Sequence, residues 1–462
     1  MRRYKTGSGQ VLHGIRPLLL VSGLMGPALG AFGIYGVFVL LVCCIPAVFG
    51  FRALRIMREQ ALISVLGLAI LLFGLLWGIF ADGTSWVAYH FAILAISGSV
   101  FVAFSFLVRG DFGVSELMTW LWRFSCLLLL VCLIEIFTGV RLPVSRYSPL
   151  APLLGFTYDG FDGSSEIFAN MWIPTGFFGN QNNLSFALIC LLPFAKAASR
   201  TMTTRLLMVA TIGFVIFLSE SRVALLVLLL WSVTSICFFV MRSMSAWRLA
   251  VVFAFALATV PLAYRAFDDA CSEANTKLCF GVELLQTVDL DVLLSLHDSI
   301  GVRVQLASQS LQLWTSSPLF GVGPGHLSEL VSAVYADGIL ITDPHNPPIQ
   351  LLAEYGIVGT ALWVIAMGVL FRSALDTPRT PVDVGRFRNA ALTLFFIIPL
   401  GSIAISAVYY FIPMWVLLGA VFGGTIESNR LVREKSLIVS SLNLATGLAP
   451  RRARAIAPEG KK

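Results

Sequence analysis

Charged residues are scarce in this sequence. Only 12% of the 462 residues are Asp, Glu, Lys or Arg, whereas 57% are hydrophobic and the mean hydropathy is +0.86. A soluble domain carries about 25% charged residues, so this shortage excludes an ordinary soluble protein. Because a helical span needs about 20 apolar residues, the composition predicts an all-α polytopic membrane protein with about 12 transmembrane helices.

The apolar stretches define the predicted spans, which lie at about 15–31, 34–51, 61–80, 86–108, 117–138, 177–195, 206–219, 222–240, 247–265, 348–371, 389–406 and 408–424. The first stretch follows Arg2, Arg3 and Lys5, so it is either a retained helix or a cleaved signal peptide. The predicted organisation has four parts. Residues 1–265 hold spans one to nine with an external loop at 139–176, and residues 266–347 form a large, partly helical external loop. Residues 348–424 hold the last three spans, and residues 425–462 form a basic cytoplasmic tail.

Positive charge is unevenly distributed, although the chain as a whole carries +7. If the N-terminus is cytoplasmic and the spans alternate, 25 of the 32 Lys and Arg fall on the cytoplasmic side, Arg123 lies within a span and the rest are external. This distribution follows the positive-inside rule. The positive net charge therefore reflects the membrane topology, in which both termini are cytoplasmic. No nucleic-acid partner is expected. The external cations are Arg141, Arg146, Arg222, Arg265, Lys277 and Arg303.

Cysteine is also uncommon, with eight in the chain, and six of these fall in predicted spans. Cys271 and Cys279 are different because they lie eight residues apart in the large external loop. Outside the cytoplasm disulfides are permitted. The pair is therefore either a local disulfide or two free thiols.

The large loop has little positive charge, with ten acidic residues and only Lys277 and Arg303 as basic ones between positions 266 and 349. Within it, residues 298–314 predict a helix with Asp298 as N-cap. The predicted apolar stripe of that helix consists of Val304, Ala307, Leu311 and Trp314. Arg303 lies near its start. A glycine-rich turn at 318–326 follows, and such a turn alone does not establish phosphate binding.

Polar residues gather at the external ends of three predicted spans. Asn180 and Asn183 are either N-cap residues or substrate-facing. Arg222 begins a span after a tight Ser-Glu-Ser turn, where a cation opposes the helix dipole unless an anion binds there; the alternative is a local ion pair with Glu220. Asn346 suits an N-cap with prolines in the first turn. Its neighbour His345 is then fixed at the mouth of a helix.

Four motifs, in this order, resemble the O-antigen ligase/polymerase superfamily. They are Ser221-Arg222-Val-Ala-Leu at a span start, Gly301-Val-Arg303 in a long external loop, Pro318-Leu-Phe-Gly321-Val-Gly323, and His345-Asn346 followed by residues 350–359, Gln-Leu-Leu-Ala-Glu-Tyr-Gly-Ile-Val-Gly. The motifs cover about residues 176–365, and the span layout is similar over the whole chain. Pro347 and Pro348 depart from the bulkier residue expected after His-Asn, which leaves the subfamily open.

The resemblance implies a bacterial inner-membrane, GT-C-type glycosyltransferase whose large loop is periplasmic. It implies transfer of a glycan from undecaprenyl diphosphate to an acceptor hydroxyl, with inversion and without metal or cofactor. The sequence has no P-loop for ATP, so the energy resides in the donor. Arg222 and Arg303 are assigned to the diphosphate and His345 to catalysis at the acceptor hydroxyl. Asn346, Asn180, Asn183 and Glu354 are possible supporting residues.

Several alternatives stay open at this point. The acceptor is either another lipid-linked glycan, as in a polymerase of O-antigen or exopolysaccharide, or lipid A–core, as in a ligase. Asp289-Leu-Asp291 resembles the metal-binding DxD of other glycosyltransferases. A lipid-linked oligosaccharide flippase or another transporter would also use many spans, although such proteins are typically built from repeat halves with polar residues at the midplane, and neither is evident here. Membrane lipids are partners in every case.

Overall fold

The computed structural model describes residues 7–31, 34–35, 67, 69–70, 72, 85–108, 112–155, 172–243, 299–334, 340–341, 346–405 and 411–445. Within these ranges the chain is almost entirely helical. The helices are α1 (Gly7–Met25), α2 (Ser85–Leu107), α3 (Val114–Thr138), α4 (Gln181–Ala198), α5 (Met202–Leu218), α6 (Arg222–Ser243), α7 (Ser299–Ser316), α8 (Leu327–Leu330), α9 (Pro347–Asp376), α10 (Val382–Gly401) and α11 (Ile412–Ala445).

The remaining regular structure is short. Single 3₁₀ turns occur at Gly26–Leu29, Ala151–Leu154 and Ser402–Ala404. Two antiparallel pairs have two residues per strand, β1 (Gly30–Ala31) with β2 (Ile34–Tyr35) and β3 (Ala333–Val334) with β4 (Leu340–Ile341). In β1–β2 Gly30 lies opposite Tyr35, and in β3–β4 Ala333 lies opposite Ile341. The structure is thus helical, as the sequence predicts.

Apolar helices fit a membrane location. Among the described residues, α3 and α9 are long and apolar enough to cross a membrane, and shorter apolar helices lie at Ile15–Met25, Ala92–Leu107, Met202–Leu218 and Arg222–Ser235. Nine predicted spans overlap described helices, whereas those at 34–51, 61–80 and 247–265 lie largely or wholly outside the described residues. The prediction of about 12 spans remains a prediction.

The main hydrophobic core is a helical bundle in which α4 is interior. Every α4 side chain from Leu184 to Ala195 is buried, and a helix that is apolar on all sides is expected inside a bundle. It packs against α3, α5 and α10. Aromatic rings complete the packing, since the Phe411 ring lies 5.6 Å from Phe178 and 5.5 Å from Phe186 between centroids.

Glycines set the closest helix contact in this bundle. α2 and α11 pack along each other, and a Cβ placed on Gly419 or Gly423 would overlap the backbone carbonyl of Phe101 or Ser105. Small residues four apart let two helix backbones approach in this way. The bundle therefore depends on two positions that tolerate no side chain.

A second, smaller apolar cluster lies apart from the bundle core. It consists of Val302, Leu306, Leu327, Val331 and Ala353, with Leu313 packed against it. It joins α7, α8 and the first turns of α9 into one assembly, here called the outer cluster.

One sequence prediction needs correction. The helix at 298–314 exists as α7, but the predicted stripe was wrong, because Leu311 is 39% exposed whereas Val302 and Leu306 are fully buried. Ser310 completes the buried face, since its hydroxyl donates to the Leu306 carbonyl at 2.6 Å. The predicted last span at 408–424 overlaps α11, a helix that runs on to Ala445.

Candidate functional site

Helix α9 begins as the sequence predicts. The Asn346 side-chain oxygen accepts a hydrogen bond from the Ile349 N–H at 3.4 Å, and Pro347 and Pro348 occupy the first helical positions. Proline suits those positions because the first N–H groups of a helix have no internal partner. The cap fixes where the chain enters the helix. His345, the residue before it, lies outside the described residues, as do Cys271, Cys279, Asp289 and Asp291.

The glycine-rich turn is inserted into a kink of α9. The kink is at Gly356, where φ is 61° and ψ is −167°. The Val322 and Gly323 N–H groups donate to the carbonyls of Ala353 and Glu354 at 2.8 and 3.1 Å. In return, the Ile357 and Val358 N–H groups donate to the carbonyls of Pro318 and Leu319 at 2.9 and 3.1 Å.

These four bonds replace two helical ones. In an uninterrupted helix the Ile357 N–H would bond to the Ala353 carbonyl, and the Val358 N–H to that of Glu354. Here the turn supplies a partner to each of those four groups. We call this junction of residues 317–323 with residues 353–358 the seam. Because its N–H groups at Val322 and Gly323 are used by α9, the turn does not present those groups to a phosphate.

Both backbones at the seam require glycine. Gly321 has φ +75°, and a Cβ there would lie 2.5 Å from the Glu354 carbonyl carbon and oxygen. Gly356 has φ +61°, and its Cβ would overlap the Leu319 carbonyl. Only glycine adopts such φ values without steric cost. Sequence therefore encodes the seam through two glycines that come from different motifs.

The outer cluster packs α7, the helix that carries Arg303, against α9. Val302, the neighbour of Arg303 on α7, is fully buried in the cluster with Leu306 and Ala353. Arg303 itself is half-buried. Because Ala353 also belongs to the seam, α7 packs on the same part of α9 as the glycine-rich turn.

Arg222 belongs to the helical bundle. It is exposed at the first position of α6, and α6 packs against α4, α5 and α10 of the bundle. The turn before it is strained, because Glu220 has φ 54° although it is not glycine. The Ser219 hydroxyl anchors the turn to the Ser185 hydroxyl at 2.5 Å.

Two polar side chains of α9 face the interior beside the seam. Gln350 and Glu354 are 6% and 1% exposed, and the Gln350 amide donates to the Glu354 carboxylate at 3.3 Å. The predicted supporting residue Glu354 is thus a buried carboxylate one turn after Gln350, with its carbonyl in the seam.

A second polar network holds the C-terminal end of α3. Glu135 is 1% exposed and accepts the Thr175 and Gly176 N–H groups at 2.8 and 2.7 Å. The Arg141 guanidinium donates to the Ile173 carbonyl at 2.5 Å. Burial lowers the pKa of Arg141, whereas the charge of Glu135 opposes that shift. The 172–176 segment therefore covers the Glu135 carboxylate.

Asn180 caps the start of α4. Its side-chain oxygen accepts the Asn183 N–H at 2.9 Å and caps α4, which is the structural alternative that the sequence left open. Next to it, the Tyr147 hydroxyl donates to the Gln181 amide oxygen at 3.0 Å. Asn183 supplies only its backbone N–H to the cap, and its side chain is half-buried.

Sequence reasoning missed three residues of these sites. Gln350 was noted only as part of a motif, and His326 only as the end of the glycine-rich turn. Arg141 was counted as an external cation. Its departure from the positive-inside rule was the signal that could have marked it. In the described part of the chain, no group of three metal-binding side chains is found.

One comparison with known proteins gives a match. Residues 207–364 match a family model described as O-antigen ligase. The matched segment begins in α5 and ends in α9, so it includes Arg222, Arg303 and the whole seam. No match to a curated protein was found.

Proposed function

We propose, from the premise that the chain belongs to the O-antigen ligase/polymerase superfamily, that it transfers a glycan from undecaprenyl diphosphate to an acceptor hydroxyl. The reaction takes place at the periplasmic face of the bacterial inner membrane and belongs to surface-polysaccharide biosynthesis. The enzyme is a membrane glycosyltransferase that inverts the anomeric carbon and uses neither metal nor cofactor.

The observation that carries the proposal is the packing of α7, the helix with Arg303, against α9. The matched family segment contains both elements, and the outer cluster holds them together. Preorganised positive charge is what a departing diphosphate requires. His345 directly precedes the Asn346 cap, and the ordered start of α9 supports its assignment to the acceptor hydroxyl.

The chemical step forms one bond and breaks another. The acceptor oxygen bonds to the anomeric carbon from the face opposite the leaving group, and the bond from that carbon to the lipid diphosphate breaks. The hydroxyl proton passes to His345, and the electron pair leaves with the diphosphate. Protonation of a positioned histidine is ordinary general-base chemistry.

Arginine suits the diphosphate in two respects. Its planar guanidinium can donate two parallel hydrogen bonds to phosphate oxygens, and it stays charged in partly buried sites. Arg303 is half-buried, and Arg222 stands at the N-terminus of a long helix whose dipole favours an anion. We assign both arginines to the diphosphate, with Arg222 approaching from the bundle.

The polymerase and the ligase differ only in the acceptor. A polymerase adds the chain to another lipid-linked unit, whereas a ligase adds it to lipid A–core. We favour the polymerase, because Pro347 and Pro348 depart from the pattern expected after His-Asn.

The test replaces Arg222, Arg303 and His345 singly by alanine in the native host. Each variant protein should be as abundant in the membrane as the wild type, but the host should lose surface polysaccharide. The reason is that each substitution removes either a contact to the diphosphate or the proton acceptor. Removing a charged transition-state contact costs about 10²–10³ in rate. The matched control is Arg372→Ala, since the Arg372 side chain is 73% exposed and pairs with Asp376 on the same helix.

The products then separate the subclasses. Single units attached to the core indicate that a polymerase was lost, whereas accumulated lipid-linked polymer indicates a lost ligase. Normal surface polysaccharide in all three variants would contradict the proposed mechanism and would favour a transporter.

A further inference from the structure

His326 occupies a defined position at the seam. It follows the glycine-rich turn, and its N–H donates to the Gly323 carbonyl at 3.3 Å. Gly323 in turn bonds to Glu354, and the next residue, Leu327, packs in the outer cluster with Ala353. The chain is therefore tied to α9 on both sides of His326.

The imidazole of His326 is buried without a hydrogen bond. The residue is only 8% exposed, and neither Nδ1 nor Nε2 has a hydrogen-bond partner in the described part of the protein. A buried polar group left in this way destabilises the folded state. Such groups are rare in native proteins and call for an explanation.

A second buried polar atom of this kind lies on α9. The Gln350 side chain is 6% exposed, and its Oε1 has no partner among the residues that the structure describes, although its amide nitrogen is bonded to Glu354. Gln350 and Glu354 are one helical turn apart, and the Glu354 carbonyl accepts from Gly323. Unsatisfied groups thus come from both elements that form the seam.

We propose that His326, with Gln350 Oε1, binds a hydroxyl group of the glycan substrate at the seam. This inference rests on the proposed function. A neutral imidazole has one donor and one acceptor, and an amide oxygen is an acceptor. A sugar hydroxyl can accept a hydrogen bond from the imidazole N–H and donate its own hydrogen to Gln350 Oε1. The hydroxyl can belong to the donor glycan or to the acceptor glycan, which share this chemistry.

The proposal predicts opposite effects on stability and on activity. His326→Phe removes two unsatisfied nitrogens while it keeps a planar ring, so the variant should unfold at the same or a higher temperature. The same change removes the hydroxyl contact. A residue kept only for folding would instead lower both quantities when replaced.

The experiment uses the full chain purified in lipid nanodiscs. The probe is the polyprenyl-diphosphate-linked glycan and its acceptor, extracted from host membranes, each varied separately. We expect His326→Phe to raise KM for one of the two by about tenfold, as expected for one lost hydrogen bond, with kcat less affected. His326→Gln, which keeps a donor and an acceptor, should recover most of the loss. Saturating glycan should raise the melting temperature of the wild type more than that of His326→Phe.

Each result has one meaning. A higher KM for the donor or for the acceptor shows which glycan supplies the hydroxyl. Unchanged transfer by His326→Phe overturns the His326 inference and leaves the proposed function standing. A lower melting temperature with a loss that His326→Gln does not restore also overturns it, in favour of a structural role. Absence of transfer by the wild type overturns both.

Discussion

Two places in the molecule bring backbones into contact through glycine, and they do so differently. Gly419 and Gly423 let α11 approach the carbonyls of Phe101 and Ser105 on α2. Each of those helices keeps its own hydrogen bonds, so the contact is packing alone. At the seam, Gly321 and Gly356 adopt positive φ, and the two backbones exchange hydrogen bonds. The bundle contact brings together two helices with complete hydrogen bonding, whereas the seam interrupts the hydrogen bonding of one helix.

The difference shows where this fold places polar groups. In the bundle, the buried hydroxyls of Ser125 and Ser428 bond within their own helices, to the carbonyls of Leu121 and Gly424, both at 2.8 Å. At the seam, by contrast, His326 and Gln350 are buried with ring and amide atoms for which the described residues offer no partner. A protein that keeps such atoms gives up stability there. Such a loss is expected at a binding site.

The largest effect should come from Gly321→Ala, which combines strain with overlap. A non-glycine residue at φ +75° costs roughly 1–2 kcal/mol, and the new Cβ meets the Glu354 backbone at 2.5 Å. We expect local loss of the seam, with transfer activity abolished and the bundle still folded. Hydrogen exchange at Val322 and Gly323, whose N–H groups would lose their α9 partners, would report the loss.

The matched control for this variant is Gly368→Ala on α9. A Cβ at Gly368 meets nothing within 4 Å, and alanine favours a helix by about 1 kcal/mol over glycine. Full transfer activity in Gly321→Ala would show that the seam is dispensable.

A smaller effect is expected from Gly423→Ala, where the conformation is helical and only the overlap with Ser105 remains. Overpacking of this kind costs about 1–3 kcal/mol. The thermal unfolding temperature and membrane abundance should fall, and transfer per folded molecule should stay close to normal. Gly98→Ala on α2 is the control, since nothing lies within 4 Å of its Cβ. An unfolding temperature equal to that of the control would contradict close packing of α2 on α11.

The smallest effect is expected from Glu135→Gln. The amide keeps the shape of the carboxylate but removes the charge that strengthens the bonds from Thr175 and Gly176. Hydrogen bonds to charged groups contribute about 1.5–3 kcal/mol and neutral ones about 1 kcal/mol, so the unfolding free energy should fall by about 1 kcal/mol. Glu329→Gln, at an exposed carboxylate, should change nothing. A Glu135→Gln protein as stable as the wild type would show that the carboxylate is not needed to hold the 172–176 segment.

Local signals in the sequence predicted the helices and their starts. Asn346 followed by two prolines was sufficient for the α9 cap, because capping depends on neighbouring residues only. Arg222 at the first position of α6 was likewise predicted. For α7 the helix was right and the buried face was wrong, because the face is chosen by α9 and Leu327, which lie elsewhere in the chain.

Contacts made by backbone groups could not be predicted, because they do not require particular residue types. Glu135 bonds to N–H groups 40 and 41 residues away, and any residue other than proline supplies an N–H. The kink at Gly356 was not predicted from the sequence, for the same reason. Its glycine looks like any glycine in an apolar helix until the turn at 318–323 is placed against it. Both contacts belong to tertiary structure rather than to local pattern.

The seam also bears on how the protein is assembled in the bilayer. Residues 353–358 can form an uninterrupted helix before the turn arrives, since the Ile357 and Val358 N–H groups then have partners at Ala353 and Glu354. Docking of the turn exchanges those two bonds for four. None of the four α9 backbone groups at the kink is left unpaired at either stage, which matters near lipid. We therefore expect α9 to enter the membrane as one continuous helix and to bend afterwards. A ribosome-bound chain that ends in α10 would show this order if the Val322 and Gly323 amides exchanged slowly only once the turn had docked.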